Sequence, residues 1–417
     1  MYVLELGGQD DRFARREAES ACSAVEPLGT GLATARGITD RVRGLAFTQR
    51  AAEFVGRTVP RVEDATLLLD AAAIDREGSV RVRARDVRGL TGVDTRRAER
   101  ELGQVLVDRG FAVDLEDPDH ELRALFAAPP GHDDDDDGTV TIGLADECAV
   151  ETSEDERASV DGRTATDPDP GGPDDETETG VCALGWLTAE SVRDFGERQP
   201  TDKPFFQPGS MDPLLARALA NIAGARPGRT LLDPMCGTGG LLLEAALVGA
   251  DVVGVDAQRK MARGTRENLS YYLYGPRNHD SHDRTDDGPR EAPGGSDDGN
   301  GASAAGVSGG AGVSGDFAVC RGDARRLPIA GADGAGPVDA VVFDAPYGRQ
   351  SWASDELAAV VGDALSEARR VARQAVVVGD RPWTEAAEAA GWTVADRFDR
   401  RVHASLTRHI LVLAAEA

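Results

Sequence analysis

Two apolar segments, each ending in an acid and joined through a glycine-rich turn and a helix, constrain this chain more than any other feature. Thr230–Gly240 reads T-L-L-D-P-M-C-G-T-G-G and runs into the apolar, helix-patterned Leu241–Val248. This is a strand, a turn and a helix. Gly237 and Gly239 let the backbone pass close to a ligand, and a helix start offers unpaired N–H groups. Asp251–Asp256 (D-V-V-G-V-D) then forms a second strand ending in an acid. An acid about 20 residues beyond such a turn normally holds ribose hydroxyls. A helix N-cap is the competing role for Asp256. Asp323, in V-C-R-G-D-A-R-R-L-P, stands where a third strand would end, and its carboxylate suits an adenine amino group. These features fit NAD and S-adenosylmethionine alike. No G-x-x-x-x-G-K-[ST] motif occurs, which argues against a P-loop phosphate site.

Residues 339–348, D-A-V-V-F-D-A-P-Y-G, narrow the chemistry. A short apolar run before a Pro turn reads as a parallel strand reaching its C-terminal edge, where open α/β sheets bind ligands. The Asp344 carboxylate and main-chain carbonyls near Ala345 and Pro346 would accept hydrogen bonds from an exocyclic amine, while Tyr347 stacks on the base. The plainer alternative is a strand-ending turn whose Pro and Tyr only pack.

With these pieces in place, the chain resembles the archaeal THUMP-domain tRNA (guanine-N2)-methyltransferases, most closely the guanosine-10 dimethylases. The resemblance is carried by Lys203–Met211 (K-P-F-F-Q-P-G-S-M), Leu232–Gly240, Gly254–Asp256, Gly322–Pro328, Asp344–Gly348 and Val402–Arg408 (V-H-A-S-L-T-R), in the family's order. It implies an α/β fold: an N-terminal α+β region containing a THUMP RNA-binding module, then a Rossmann-like class I methyltransferase domain with a mostly parallel sheet and a C-terminal β-hairpin. It also implies S-adenosylmethionine as cofactor, tRNA as partner, and one or two methyl transfers to a guanine N2 amine. Cofactor contacts fall on Phe206, Pro208, Ser210 and Met211, on Asp233, Pro234, Cys236, Gly237, Thr238 and Gly239, and on Asp256, Ala257, Asp323 and Ala324. Asp344, Ala345, Pro346 and Tyr347 form the catalytic turn. Ala345 departs from the bulkier Pro or Leu of related amino-methylases. No metal is expected, because a sulfonium brings its own leaving group. Methylation of guanosine 6, of ribosomal RNA or of DNA remains open, as does a non-catalytic RNA-binding protein with a degenerate methylase fold. An NAD oxidoreductase is disfavoured by the Asp-Ala-Pro-Tyr turn.

Charge is concentrated in two places. The 417-residue chain carries a net −27. Residues 131–180 hold 18 acids against two Arg, and residues 276–316 hold eight against three. Both stretches are rich in Gly, Asp and small polar residues and are expected to be solvated insertions. Only Lys203 and Lys260 are lysines among 46 basic residues. An acid-rich, lysine-poor composition resembles that of an extreme halophile, where salt screens self-repulsion. Residues 81–110 run the other way, with eight Arg against five acids. Arg81, Arg83, Arg85, Arg88, Arg96, Arg97 and Arg100 are the candidate RNA contacts, although most charge runs are only solvated faces. Within residues 80–127 the run E-L-G-Q-V-L-V-D-R-G-F-A-V-D-L resembles a THUMP domain. Five cysteines without C-x-x-C spacing indicate reduced thiols, with Cys236 filling space. Without a basic-then-apolar leader or an apolar run of about 18 residues, a cytoplasmic, membrane-free protein is expected. A monomer is expected, with a helper subunit left open.

The domain plan is an N-terminal α+β region over 1–60, a THUMP-like domain over 61–190, a linker over 191–203 and the methyltransferase domain over 204–417. Local patterning predicts helices over 11–24, 94–109 and 355–371, strands over 79–84, 112–115, 121–127 and 181–189, an ambiguous segment over 60–74, and a final hairpin over 392–398 and 406–414.

Overall fold

The computed structural model describes residues 1–131, 180–275, 314–330, 337–347, 354–403 and 406–415. The two acidic stretches lie almost wholly outside these residues, as do Gly348, Ala404 and Ser405 of the quoted motifs.

The C-terminal half is built on a seven-stranded sheet. Its order is Phe317–Arg321, Asp251–Asp256, Thr230–Asp233, Ala340–Asp344, Gln374–Gly379, Leu406–Ala415, Trp392–His403. Neighbours from the first to the fifth of these pair in parallel, and Leu406–Ala415 is antiparallel to both of its partners. This is the Rossmann-like α/β sheet with a C-terminal hairpin. Parallel strands are covered on both faces, so Ala340–Asp344 (A-V-V-F-D) and Gln374–Gly379 (Q-A-V-V-V-G) are continuous apolar runs. The strand order reverses between Thr230–Asp233 and Ala340–Asp344. A cleft therefore opens at their carboxyl ends, above Asp233, Asp256 and Asp344.

The hairpin is longer than its pattern predicts. The strand expected over 392–398 continues to His403, and within the added part Arg400 is 3% exposed and lies between two rings. Its guanidinium is 4.7 Å from the Phe13 centroid and 4.8 Å from that of Phe47.

The N-terminal half carries an eight-stranded sheet. Its order is Glu26–Gly29, Leu32–Ala35, Tyr2–Leu6, Thr48–Thr58, Val181–Glu190, His120–Ala127, Ser79–Asp86, Ala112–Val113. Thr48–Thr58 pairs with Tyr2–Leu6 on one side and Val181–Glu190 on the other, so segments 1–60 and 61–190 share one sheet. Helices Val62–Ala71 and Thr95–Asp108 cover one face through Leu69, Leu102 and Leu106, packed on Val80, Leu122 and Phe126. The ambiguous 60–74 segment is the first of these helices. The helix expected over 11–24 stops at Ala18, because Cys22–Ser23 pairs with Gly37–Ile38 and Ala24 turns with φ 49°. The strand expected over 112–115 stops at Val113, where the Asp114 carboxylate accepts the amides of Glu116 and Asp117 at 2.9 and 3.0 Å.

The two sheets meet through helices Asp11–Ala18 and Pro213–Ile222. One core runs from Leu4, Phe13 and Phe47 through Leu215 and Leu219 to Leu231 and Leu242. Within it, buried Glu17 accepts the amides of Ala46 and Phe47 at 2.6 Å each and the Asn221 side-chain amide at 2.7 Å. The 191–203 segment is fixed by charge. Arg198 Nε and Arg217 Nη2 reach the two oxygens of buried Glu244 at 2.9 and 2.7 Å. No helix among the described residues is long and apolar enough to cross a membrane.

Candidate active site

A cavity of about 600 Å³ lies over the carboxyl edge of the seven-stranded sheet. Five sequence segments converge on it. Pro208, Ser210 and Met211 form one wall, and Asp233, Pro234, Cys236, Gly237 and Thr238 form the floor. Asp256 with Ala257, and Asp323 with Ala324, close one end. Asp344, Ala345, Pro346 and Tyr347 close the other.

Two predicted contacts fall elsewhere. Phe206 is 40% exposed and does not line the cavity. Its neighbour Phe205 turns inward instead, onto Gly264, where an added Cβ would come within 2.0 Å of the ring. Sequence reading missed the residue that fixes this segment, Asn268. Its Nδ2 donates to the carbonyls of Phe205 (2.8 Å) and Thr238 (2.9 Å), and its Oδ1 accepts the Phe205 amide (2.8 Å). One helix side chain thereby joins the K-P-F-F segment to the glycine turn. Gly239 lies behind the wall rather than on it. It turns the chain into the helix with φ 78°, and a Cβ there would meet Thr265 at 2.6 Å.

Two amides of the glycine turn are already engaged. Gly237 N–H donates to Asp256 Oδ2 at 3.1 Å and Gly239 N–H to the Cys236 carbonyl at 2.7 Å. Asp256 Oδ1 accepts the Gln258 amide at 2.8 Å, so this carboxylate ties two strand ends together while each oxygen keeps a lone pair. Asp323 sits with both oxygens on Arg325, its Nη2 contact at 2.7 Å. Those bonds hold the Asp323 carboxyl below the usual range. The other acids are pushed up. Burial raises Asp233 well above an ordinary carboxylate, with the nearby charges of Asp256 and Asp344 adding to it, and burial also raises Asp256. Burial likewise pushes the Cys236 thiol up, which suits a packing residue and not a nucleophile.

The Asp-Ala-Pro-Tyr turn is held from the final strand. The Tyr347 hydroxyl donates to Asp344 Oδ1, and Arg408 Nε donates to that hydroxyl at 3.2 Å. Arg408 Nη2 lies 3.9 Å from Asp344 Oδ2. Burial pushes Asp344 up to about 7; Arg408 and the Tyr347 hydroxyl oppose the shift, and Asp380 adds to it. The Ala345 amide donates to the Val378 carbonyl at 2.8 Å and continues the sheet, and the Ala345 side chain is buried. Arg408 lay inside the V-H-A-S-L-T-R segment, yet only the antiparallel register reveals its contact with Asp344.

Four aspartates line this cavity with one arginine, and the Gly237 and Gly239 amides have partners. A ligand with phosphates at the turn fits poorly. A cationic ligand with ribose hydroxyls fits well.

Residues 200–282 match the family model described as RMKL-like, methyltransferase domain. Similar to the chain are the tRNA (guanine(10)-N2)-dimethyltransferases of Methanothermobacter thermautotrophicus, 33% identical over 232 residues, and of Pyrococcus abyssi, 29% identical over 226. The first alignment covers 54% of this chain and 56% of the relative, the second 54% and 55%, so the chain spans about half the length of the curated relatives it matches. Among solved structures, TrmN from Thermus thermophilus aligns over 100% of this chain and 99% of its own, with 19% identity and a TM-score of 0.42.

Outside the C-terminal half, the predicted arginines do not form one surface. Arg81, Arg83 and Arg85 share a strand face, but it is opposite to the Val80 and Val82 face that packs on the Thr95–Asp108 helix. Arg96, Arg97 and Arg100 ride on that helix, on the other side of the sheet. Several are paired: Arg81 with Glu121, Arg85 with the Gln49 side chain (3.0 Å), Arg88 with Asp11 (2.6 Å) and Arg97 with Glu63 (2.6 Å). Arg83, Arg96 and Arg100 are exposed.

Proposed function

We propose that the protein is an S-adenosylmethionine-dependent tRNA (guanine-N2)-methyltransferase that modifies guanosine 10, by one or two transfers. The observation that carries this reading is one cavity lined by a ribose-type acid, Asp256, and by an Asp-Ala-Pro-Tyr turn of the kind that holds an exocyclic amine. The names of the similar archaeal enzymes support the choice of tRNA and of position.

S-adenosylmethionine, when bound, supplies a methyl group activated by a sulfonium. Asp256 would accept its ribose hydroxyls, and Met211 and Pro208 would lie beside its methionine part. Asp323 would take the adenine amino group only in exchange for part of its Arg325 pairing. A guanine amine is a weak nucleophile because its lone pair is delocalised into the ring. Asp344 would accept the amine hydrogens, turn the lone pair toward the methyl and stabilise positive charge growing on nitrogen. Tyr347 would stack on the base. The proton leaves to Asp344 or to water.

Residues 61–190 would serve as a THUMP-like module gripping tRNA through its exposed arginines. The acid-rich, lysine-poor composition is read as adaptation to a salt-rich cytoplasm, where counterion release adds little and shape with Arg–phosphate contacts adds more. The chain is proposed to act as a monomer. Incubation with tRNA and labelled S-adenosylmethionine, followed by mass spectrometry of nucleosides, tests the reading. N2-methyl- or N2,N2-dimethylguanosine mapped to position 10 is the expected product, and label on another base would overturn it.

A further inference from the structure

We propose that Arg408 is a positioning residue for methyl transfer: it holds the Tyr347 hydroxyl and lies against the Asp344 carboxylate, so that this carboxylate faces the cavity as an oriented acceptor. The inference rests on the role given to Asp344 above and adds a residue that the turn itself does not contain.

The placement follows from the sheet. Asp344 pairs with Val378, and Val378 pairs with Ile410. Because Leu406–Ala415 runs against its neighbours, its beginning lies at the edge where the parallel strands end. Arg408, two residues before Ile410, therefore reaches the catalytic turn. It is 5% exposed, its Nε donates to the Tyr347 hydroxyl at 3.2 Å, and its guanidinium carbon is 5.8 Å from the Tyr347 ring centroid. Its Nη2 at 3.9 Å from Asp344 Oδ2 gives an electrostatic contact, too long for a hydrogen bond. That oxygen is left for a donor in the cavity.

The charge balance explains why a cation is needed. The titratable and charged groups around Asp344 are Asp380 and Asp233, both acidic, Tyr347, and Arg408. Of these only Arg408 favours the ionised carboxylate by charge, and a protonated Asp344 could not accept two amine hydrogens. Arginine suits the place better than lysine. Its planar fork serves hydroxyl and carboxylate together and stays charged when buried.

The test uses full-length Arg408→Gln and Arg408→Lys, with tRNA and S-adenosylmethionine saturating and kcat followed against pH. Arg408→Gln should lower kcat about 10- to 100-fold near neutral pH, the scale of a lost proton-transfer or charge contact. Its acidic limb should move up by about one pH unit or more, with partial recovery in alkali and an unchanged S-adenosylmethionine KM. Arg408→Lys should restore the limb but not the full rate. Combining Arg408→Gln with Tyr347→Phe should cost less than the two effects summed, because both remove the same contact. A folded Arg408→Gln whose profile superimposes on wild type, or whose loss is independent of pH, overturns the inference. Should Arg408→Gln not fold, an Arg408→Lys enzyme equal to wild type in rate and profile overturns it equally. A wild-type enzyme making no N2-methylguanosine overturns the proposed function instead.

Discussion

Asp344→Asn separates charge from shape at the Asp-Ala-Pro-Tyr turn. The asparagine keeps one acceptor, which the Tyr347 hydroxyl already uses, and replaces the other by an NH2 facing Arg408, donor against donor. A carboxylate 3.9 Å from a guanidinium gains about 4 kcal/mol of gross Coulomb energy at an effective dielectric near 20. The methylated amine would occupy a comparable position as its positive charge develops. Losing one preorganised contact of this kind typically costs about 10²–10³ in kcat, or roughly 3–4 kcal/mol in the barrier. The pH profile carries a second signature. With Asp344 pushed up to about 7, the wild-type carboxylate ionises as pH rises through that value, so kcat should climb below it and level off above. The variant has nothing to titrate there and should be flat. Single-turnover transfer of labelled methyl to a tRNA transcript would report the rate, and calorimetry should find cofactor affinity nearly unchanged. A folded Asp344→Asn enzyme that binds cofactor and methylates guanine at close to the wild-type rate would refute the reasoning.

Asp256→Ala should weaken S-adenosylmethionine binding by about 1–3 kcal/mol, and unchanged affinity by calorimetry in molar salt would show that Asp256 only ties Gly237 to Gln258. Glu244→Ala takes the carboxylate from buried Arg217 and leaves Arg198 with Asp194 alone, and should lower stability by about 3–5 kcal/mol; a denaturant midpoint within error of wild type would contradict this. Arg83→Glu and Arg96→Glu/Arg100→Glu lie on opposite sides of the N-terminal sheet. Only the set that meets tRNA should raise its KM with little change in kcat, and two silent sets would move the RNA surface elsewhere.

The strands that bear the aspartates were legible because each is a short, mostly apolar run closed by an acid. Adjacent aromatics are harder: nothing local says that Phe205 rather than Phe206 turns inward, because the choice is made by Gly264 about 60 residues on. The burial of Arg400 and Arg408 had no local signal, since it depends on rings and a carboxylate brought by distant segments. The alternation of Arg81, Arg83 and Arg85 was visible, whereas the face taken by the neighbouring helix was not. Glu17 hid likewise among the charged residues of an Arg- and Glu-rich helix. The Asp323–Arg325 pairing had a signal in the D-A-R spacing that went unused.

Arg400 and Arg408 stand directly opposite each other on the final hairpin. One is clamped by Phe13 and Phe47 of the N-terminal half, and the other touches the Asp-Ala-Pro-Tyr turn. The C-terminal half is therefore not a severable module. A chain begun near residue 204 would present Phe398, Arg400 and the outer side of the Pro213–Ile222 helix to water, and would also lose Arg198, a partner of Glu244. A protease cutting in the 191–203 segment would release a fragment with a sticky apolar face and a hairpin lacking its brace, so solubility and turnover should disappear together.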